Sequence, residues 1–351
     1  MSLPSTLVSE SVRWLSEPSP CDQIVVSTRV RYARNVAGHP FAPHATQTVL
    51  QRVRREIGEA FARSTTFNEF YSLEMGNLTG LERGFLKEAR LISKEMERGG
   101  QSRAVYVGHD LQSAVMINEE DHLRLQVLAP GLQISRAHQA LAALEAEIGR
   151  ALPYAYHHRL GYLTACPTNL GTGLRAGVMM HLPGLSLKRE VEALATPLQR
   201  QGMTIRGFNG ENSEHLGDHY QVSNEVTLGR SVEEIEELLG ATVNALMDRE
   251  MEARSLLLTK GGVAALDTIW RSYGILTNAR KIDSNEAMKL LSRIRLGIDH
   301  GCFPHLSHAR LNAIVAEVQP GHLVMRHGAS EEIDQRDVQR ATLIRGLLAA
   351  P

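Results

Sequence analysis

The hydrophobic periodicity of the sequence changes near residue 255, and this change most limits the possible folds. Before it, short apolar runs such as Ala104–Val107 and Ala114–Ile117, separated by Gly108–Asp110, are typical of strands joined by a turn. From Leu256 onward, apolar residues recur almost only at helical spacing. The pattern predicts an α+β fold: a mixed, mainly antiparallel sheet flanked by helices, followed by an all-helical C-terminal domain.

Other segments follow the same two periodicities. Thr46–Phe61 has apolar residues at helical spacing and is predicted to form an amphipathic helix. Ser231 and Glu234 have the spacing of a capping box, which predicts a long helix from this point to about Arg254. Further strands are predicted at Leu123–Val127, Leu163–Ala165, Ala176–Leu182, Met203–Gly207 and Tyr220–Leu228.

The charge and the cysteines argue against several classes of protein. The 351 residues include 38 Lys and Arg against 39 Asp and Glu, which gives a formal net charge of −1. A basic field over the whole chain, as for nucleic acid, is therefore absent, although local arginine clusters stay open. Three widely spaced cysteines, Cys21, Cys166 and Cys302, indicate neither a disulfide framework nor a C-x-x-C zinc pair.

The N-terminus and the apolar runs predict the cellular compartment of the protein. Met1–Glu17 lacks the basic and apolar segments of a signal peptide. No uninterrupted apolar run approaches the roughly 18 residues of a transmembrane helix. We therefore expect a protein of the reducing cytoplasm, with no membrane partner and no nucleic-acid partner.

Familiar phosphate-binding loops are missing from the sequence. No G-x-x-x-x-G-K-S/T segment occurs, and Gly171-Thr172-Gly173 lacks the later glycine of a dinucleotide fingerprint. A nucleotide would need arginines instead, because each planar guanidinium binds phosphate oxygens with two parallel hydrogen bonds. Arg29 and Arg31 of the segment Ser27–Asn35 point to the same side if the chain is extended. On these residues alone, a solvated basic edge strand is the commoner explanation.

Three more segments carry chemically active residues. Asn118–Arg124 contains three adjacent carboxylates, which suggest a guanidinium or a hydrated metal as partner, or else form a plain acidic turn. Cys166 precedes a turn rich in proline and glycine, where it is either a thiolate or an inert core cysteine. Arg206–Glu211 places glycines beside an arginine and a carboxylate, and by itself is only a polar loop.

In their order, these four segments resemble the catalytic domain of the guanidino kinases, the ATP:guanido phosphotransferase family. The S-T-R-V-R, N-E-E-D-H-x-R, C-P-T-N-x-G-T and R-G-x-x-G-E motifs are separated as in that family, and the resemblance extends over about Asp22 to Arg254. It implies an N-terminal extension at residues 1–21, a catalytic domain at residues 22–254 and a helical C-terminal domain at residues 255–351.

The resemblance also implies roles for individual residues. Glu120 and Glu211 would hold the substrate guanidinium, with Cys166 beside it. A guanidinium has no nucleophilic lone pair until a proton leaves, so a carboxylate that orients the nitrogen and accepts this proton suits the reaction. ATP would donate the phosphoryl group, and Mg²⁺ would be held mainly by the nucleotide and water, with no metal site on the protein. The residues implied at the ATP site are Ser27, Thr28, Arg29, Val30, Arg31, Arg90, Arg124, Arg175, Ala176, Gly177, Val178, Met179, Arg206, Gly207, Phe208, Asn209, Gly210 and Glu211.

Some positions depart from the pattern of the family. Arg90 stands where the bacterial members commonly have a histidine near the nucleotide, and an arginine there can still contact phosphate or stack on adenine. Gly177, Phe208 and Asn209 also differ, which is expected to alter substrate preference.

The arrangement of the chain resembles one subgroup, the bacterial protein arginine kinases. Small-molecule members carry a helical domain of roughly a hundred residues before the S-T-R-V-R motif, whereas here this motif begins at Ser27 and the helical part follows the catalytic part. An open site of this kind is expected to admit an arginine on a protein surface. The resemblance further implies a Clp-type unfoldase and a zinc-containing activator as partners, and we expect a homo-oligomer.

A short motif near the C-terminus supports the same subgroup. Arg336-Asp337-Val338-Gln339-Arg340-Ala341 matches the subgroup's R-D-x-x-R-A motif, which implies allosteric phosphoarginine binding by Arg336, Asp337, Arg340 and Ala341. On a helix the two arginines, at i and i+4, would lie on one face and pinch a phosphate. Taken alone, the motif is equally a plain amphipathic helix with surface charges.

Three other functions remain open from the sequence. One is a kinase of free arginine or another small guanidino compound. Another is a regulatory adaptor that binds phosphoarginine without catalysis, against which the joint presence of Glu120, Glu211 and Cys166 speaks. The last is nucleic-acid binding through Arg29 to Arg34, which would be strongly dependent on salt and which the near-neutral chain disfavours.

Overall fold

An eight-stranded antiparallel sheet is the centre of the computed structural model, which describes residues 3–207 and 216–349. The strands in these residues are β1 (Val25–Arg34), β2 (Phe70–Glu74), β3 (Ala104–Gly108), β4 (Ser113–Ile117), β5 (Leu123–Pro130), β6 (Tyr156–His157), β7 (Gly161–Tyr162), β8 (Leu174–His181), β9 (Met203–Gly207) and β10 (His219–Asn224). Their order in the sheet is β2-β3-β4-β5-β1-β8-β10-β9, and β6 and β7 form a separate hairpin. Strand β1, which carries the S-T-R-V-R motif, therefore lies in the middle of the sheet and not at an edge.

Helices flank the sheet and make up almost all of the C-terminal part. In the described residues they are α1 (Ser5–Glu10), α2 (Gln47–Ala62), α3 (Gly80–Glu88), α4 (Lys94–Glu97), α5 (Ile134–Ala151), α6 (Pro183–Leu187), α7 (Glu190–Arg200), α8 (Val232–Asn278), α9 (Ser284–Asp299), α10 (His308–Glu317), α11 (Pro320–His327) and α12 (Ile333–Leu348).

One face of the sheet carries the main hydrophobic core. Side chains of a strand alternate between the two faces, and on β1 the core side receives Val30 and Tyr32. These residues pack with Leu125 of β5 and Val178 of β8 against the apolar sides of α2, α5, α7 and α8. Because this burial fixes which residues of each strand face inward, it also fixes which ones face the opposite side.

The opposite face is covered in part by smaller clusters. Helices α1, α3 and α4 cover β2 to β4 through a cluster that includes Phe85 and Met116. A third cluster, with Trp14 and Met179, packs near one end of the central strands. Beyond these clusters, the alternate positions of the central strands carry arginine where a buried strand would carry apolar residues.

Helix α8 joins the sheet to the C-terminal helices. It begins at the predicted capping box, in which Ser231 Oγ accepts the Glu234 N–H and the Glu234 carboxylate accepts the Ser231 N–H. It continues beyond Arg254 to Asn278, with a backbone break at Gly262, where φ is +47° and ψ is −128°. The predicted domain boundary at residue 254 therefore falls within a helix and remains a proposal.

The C-terminal helices enclose a core of their own and also pack against the part of the chain that forms the sheet. Their core contains Ile269, Leu291 and Phe303, and it involves α8 to α10 and α12. Helix α10 packs on the 3₁₀ turn at Arg13–Leu15. Glu88, at the end of α3, accepts the N–H groups of Gly321 and His322 at the start of α11, at 3.0 and 3.1 Å.

Most of the elements predicted from periodicity are confirmed. The predicted helix Thr46–Phe61 is α2, with Thr46 as its N-cap, and the predicted hairpin of β3 and β4 is present. The predicted strand Leu163–Ala165 is wrong. The strand β7 ends at Tyr162, just before it, and the Ala165 N–H donates to the Asp121 carboxylate. All three cysteines are free, and no helix among the described residues is long and apolar enough to cross a membrane.

Candidate active site

Three central strands and the edge strand β9 bring separate arginines onto one face of the sheet. Arg31 of β1 lies directly opposite Arg175 of β8, and Gln126 of β5 lies on its other side. Paired residues in an antiparallel sheet project to the same face, so Arg29, two residues from Arg31, shares it. Arg124, two residues from Gln126, shares it as well. On β9, Arg206 pairs with Gln221 of β10, whose amide oxygen accepts from the Arg29 guanidinium at 3.3 Å.

A sixth arginine reaches this face from outside the sheet. Arg90 follows α3 with a left-handed backbone, φ +62°, a conformation that non-glycine residues seldom adopt. Its guanidinium donates to Ser27 Oγ at 2.6 Å, and its carbonyl oxygen accepts from Gln126 Nε2 at 2.6 Å. We refer to Arg29, Arg31, Arg90, Arg124, Arg175 and Arg206 as the arginine face.

The arginine face concentrates positive charge. Burial, together with repulsion from Arg90, Arg124 and Arg175, lowers the pKa of Arg29 to about 9, which still leaves it cationic at neutral pH. Burial and repulsion from Arg29, Arg124 and Arg175 lower the pKa of Arg31, and its Nε is buried without a hydrogen-bond partner in the described residues. Such a cluster is unfavourable by itself and is stabilised by a polyanion such as a triphosphate.

The other predicted ATP-site residues fall into three groups. The side chains of Thr28, Val30, Ala176 and Val178 are fully buried on the core side, and Met179 packs in the cluster with Trp14. Gly177 lies opposite Arg29, where an added Cβ would collide with Gln221 Nε2, so the glycine leaves room for the glutamine to reach Arg29. Gly207 ends β9. Phe208, Asn209, Gly210 and Glu211 lie outside the described residues.

The three adjacent carboxylates have different environments. Glu119 is buried and accepts from Arg124 at 2.5 Å, and although burial raises its pKa, this ion pair leaves the pKa lowered. Asp121 is buried and accepts from Asn35 Nδ2 at 2.6 Å and from the Ala165 N–H at 2.7 Å. Glu120 is partly exposed, and its carboxylate has no hydrogen-bond partner among the described residues.

The environment of Glu120 favours a carboxylate that can take up a proton. Burial, followed by repulsion from Asp121, raises the pKa of Glu120, although Arg124 acts in the opposite direction. Glu120 is therefore the member of the acidic cluster with both an open carboxylate and a raised proton affinity. No group of three or more His, Cys, Asp or Glu side chains within the described ranges is arranged to hold a metal ion.

The Cys166 loop lies beside Glu120 because Asp121 holds it there. Asp121 follows Glu120 and binds the N–H of Ala165, which precedes Cys166. The Cys166 thiol is partly exposed and lies 3.0 Å from Thr168 Oγ1. On the far side of the loop, Thr227 Oγ1 contacts the carbonyl oxygens of Thr168 and Leu170 at 2.9 and 2.6 Å.

Several residues that build the site were not singled out from the sequence. Asn35 accepts the His122 N–H at 2.9 Å, and His122 Nδ1 accepts the Val36 N–H at 3.2 Å, so the end of β1 fixes the acidic loop. Burial lowers the pKa of His122 to about 4, which keeps the ring neutral for this acceptor role. Gln126 lies between Leu125 and Val127, and Gln221 lies between Tyr220 and Val222. A polar residue between two buried apolar ones in a strand is the signal that its side chain faces outward.

The spacing of the C-terminal motif predicts that Arg336 and Arg340 bind a phosphate between them on an exposed helix face, and the structure differs from this. Arg340 is fully buried and donates to Val318 O at 2.9 Å, to Ile282 O at 3.0 Å and to the Asp337 carboxylate. Asp337 and Ala341 are also buried, and Arg336 is the partly exposed member of the motif. The structure therefore does not bring both arginines to the surface, and phosphoarginine binding here remains a prediction.

Comparison with known proteins agrees with this geometry. Residues 51–253 match the family model "ATP:guanido phosphotransferase, C-terminal catalytic domain", and residues 263–351 match "Protein-arginine kinase McsB C-terminal domain". The solved structure of a lombricine kinase superimposes with a TM-score of 0.59 and 26% identity, and the match covers 68% of each chain.

Curated relatives resemble this chain over nearly its whole length. A protein-arginine kinase of Halothermothrix orenii is 36% identical over 345 residues, which are 98% of this chain and 99% of that protein. One of Geobacillus stearothermophilus is 41% identical over 341 residues, which are 95% of this chain and 92% of that protein. The chain thus belongs to the ATP:guanido phosphotransferase family and, within it, to the protein-arginine kinases.

Proposed function

We propose that this chain transfers the γ-phosphoryl group of ATP to arginine side chains of proteins. The observation that carries the proposal is the arrangement of the arginine face beside the partly exposed Glu120. One part of this site suits a triphosphate, and the other suits a guanidinium. The two parts of the site adjoin, because Arg124 of the arginine face forms an ion pair with Glu119, the residue before Glu120.

The arginine face supplies the electrostatic part of catalysis. Phosphoryl transfer needs alignment and neutralisation of the charge on the transferring group more than it needs covalent chemistry. Arg29, Arg31 and Arg175 project from neighbouring strands and form a rigid surface of donors, held before ATP arrives. Glu119 and Asp121 are engaged with protein partners, so Mg²⁺ would be held mainly by the nucleotide. It would neutralise part of the charge of the triphosphate.

Glu120 supplies the proton-transfer part. As a guanidinium nitrogen gives up a proton, its lone pair attacks the γ-phosphorus, the bond from this phosphorus to the bridging oxygen breaks, and ADP leaves. Glu120 accepts this proton, and its raised pKa favours this step. Cys166, held next to this loop through Ala165, is proposed to border the guanidinium. Glu211 is proposed as the second carboxylate.

Arginine on a protein is the proposed acceptor because of the extent of the similarity. The named protein-arginine kinases align with this chain over 95% or more of its residues, including the C-terminal helices. The lombricine kinase match covers only 68% of the chain. On the sequence resemblance alone, we also propose action in the cytoplasm, a homo-oligomer, a zinc-containing activator, and a link to stress through a Clp-type unfoldase.

Acid-labile phosphate formation tests the proposal. The protein is incubated with Mg-ATP and either a basic protein or free arginine, and phosphoarginine is measured in each. We expect transfer to the protein, and a loss of roughly 10²- to 10⁴-fold in kcat for Glu120→Gln, the range for removal of a general base. Circular dichroism would confirm that this variant is folded. Transfer to free arginine alone would disprove the protein-kinase function.

A further inference from the structure

Exposed apolar side chains flank the Cys166 loop. Tyr156 of β6 is 60% exposed, and Leu228, which follows β10, is 46% exposed. Leu160, at the turn between β6 and β7, is also exposed, and Tyr162 of β7 is half-buried. We call these four residues the apolar shelf. Clustered exposed apolar side chains on a soluble protein commonly mark a binding surface.

The backbone pairing places the shelf in a row beside the catalytic loop. Tyr162 pairs with Tyr156 on one side and with Gly171 on the other, and the rings of Tyr156 and Tyr162 lie 5.4 Å apart, edge to face. A Cβ added to Gly171 would lie 2.9 Å from Leu228 Cα. The row therefore runs from Tyr156 through Tyr162 and Gly171 to Leu228. Tyr162 precedes by three residues Ala165, which Asp121 binds next to Glu120, so the row lies within about 10 Å of the proposed guanidinium site.

The shelf is rigidly supported from below. The Arg34 guanidinium carbon lies 3.5 Å from the centre of the Tyr162 ring and 4.2 Å from that of Tyr32. Arg34 is buried, and it also donates to Glu145 at 2.9 Å and to Thr172 O at 2.9 Å. The hairpin of β6 and β7 is thus fixed to both β1 and the Cys166 loop. A surface that is already ordered loses little conformational entropy when a partner binds.

We infer that the apolar shelf binds the polypeptide of the protein substrate next to the target arginine, and that it selects an apolar or aromatic side chain there. This inference rests on the proposed function. Tyr156 lies one strand spacing, about 5 Å, beyond Tyr162, and therefore within about 15 Å of Ala165. The side chain of the target arginine and about three residues of extended chain together cover this distance. A side chain two or three positions from the target arginine therefore reaches Tyr156, whereas a free arginine does not.

Peptides of defined sequence test the shelf. The acceptors are a glycine-rich heptapeptide with a central arginine, and versions with phenylalanine two or three positions away on either side. We expect wild-type kcat/KM to be about tenfold higher for at least one phenylalanine peptide, the size of one well-placed aromatic contact. In Tyr156→Ala and Leu228→Ala, kcat/KM for the phenylalanine peptide should fall towards the value for the glycine peptide, which should itself stay unchanged.

Matched variants separate the shelf from general effects. Tyr156→Phe keeps the ring and should keep the preference. Leu187→Ala removes a side chain that is 52% exposed on α6, away from the loop, and should change nothing. Thermal melting would show that each variant is folded.

The outcomes distinguish the shelf from the proposed function. Equal wild-type rates on all peptides, or a preference that survives in Tyr156→Ala and Leu228→Ala, would overturn the shelf and leave protein arginine phosphorylation intact. Failure of the wild type to phosphorylate any peptide or protein would overturn both.

Discussion

Two regions of this molecule use arginine in opposite ways. On the arginine face, Arg29 and Arg31 retain some exposure, and burial of most of each side chain, followed by repulsion from neighbouring arginines, lowers their pKa values. At the junction between the sheet and the C-terminal helices, Arg254 of α8 is 3% exposed. Each of its nitrogens has a partner: Glu250 at 2.7 Å for Nε, and for the others Gln23 O, the Asp299 carboxylate and His181 O.

The difference separates a binding site from a structural one. A guanidinium whose donors are all engaged within the protein has nothing left for a ligand, and its removal leaves buried acceptors and carboxylates without partners. A group of guanidiniums that repel one another is costly to the fold, even where single members are paired, and is stabilised further when a polyanion binds. Arginine content alone does not distinguish these cases, whereas the partners of each nitrogen do.

The largest expected effect is on catalysis, at the arginine face. Arg31→Gln removes a donor from the proposed triphosphate site, and we expect kcat/KM to fall about 10⁴-fold, equivalent to about 5 kcal/mol of transition-state stabilisation. The free energy of unfolding should stay equal or rise slightly, because a repelling charge is lost. Steady-state kinetics and urea denaturation measure the two quantities.

Arg55→Gln is the matched control for this prediction, since Arg55 is 70% exposed on α2, away from the arginine face. Its kinetics and stability should equal those of the wild type. If Arg31→Gln lost stability in proportion to its activity, the distinction between the two regions would fail.

The buried junction should show the reverse pattern. Arg254→Met leaves the fully buried Glu250 without its cation, and we expect a loss of about 4 kcal/mol in the free energy of unfolding. The specific activity of the folded fraction at low temperature should remain within a few-fold of wild type. Arg271→Met is the control, because Arg271 pairs with Asp267 at the same i, i+4 spacing but is 76% exposed, and should cost less than about 0.5 kcal/mol.

Sequence alone predicted the residue types of the site better than their arrangement. Period-two alternation correctly placed Arg29 and Arg31 on one side of a strand, because this property is local. The residues alone favoured an edge strand, whereas β1 is central, because strand neighbours depend on contacts far apart in the chain. For the same reason the link from Asp121 to Ala165 could not be foreseen.

The C-terminal motif shows a second limit of sequence patterns. The spacing of Arg336 and Arg340 correctly places them on one helix, α12. It does not tell how that helix is rotated against its neighbours, and in the structure Arg340 faces inward. The role of Arg90 was available only through family resemblance, because its left-handed backbone and its contact with Ser27 have no local signature.

Ligand binding should sharpen the comparison next. Mg-ATP at about a hundred times the Kd of the wild type should raise the free energy of unfolding of the wild type by about 2.7 kcal/mol. The variants are measured at the same concentration. Arg31→Gln should lose most of this increment, and Arg254→Met should retain it despite its lower starting stability. Thermal or urea unfolding with and without Mg-ATP gives the increments. Equal increments in the wild type and in Arg31→Gln would show that Arg31 does not contact the phosphates.

The smallest expected effect concerns Glu119 and Glu120, where the two uses of charge meet. The ion pair with Arg124 lowers the pKa of Glu119, so its stabilisation is present above the unfolded value of about 4.3 and disappears as pH falls through the folded pKa. Burial and Asp121 raise the pKa of Glu120, so its ionised form costs stability at neutral pH, and this cost disappears as pH falls through the raised pKa.

The two glutamine variants should therefore differ in sign. At pH 7, Glu119→Gln should lose about 1 kcal/mol of unfolding free energy, because it removes a charged hydrogen bond. The loss is no larger because the Arg124 side chain is partly exposed to solvent. Glu120→Gln should gain a few tenths of a kcal/mol, because solvent screens a partly exposed carboxylate. Urea titrations should show both differences shrink as the pH falls below the unfolded value of about 4.3. A stability loss in Glu120→Gln at pH 7 would mean that this carboxylate is held by the fold, as Glu119 is, and is not kept open for a substrate.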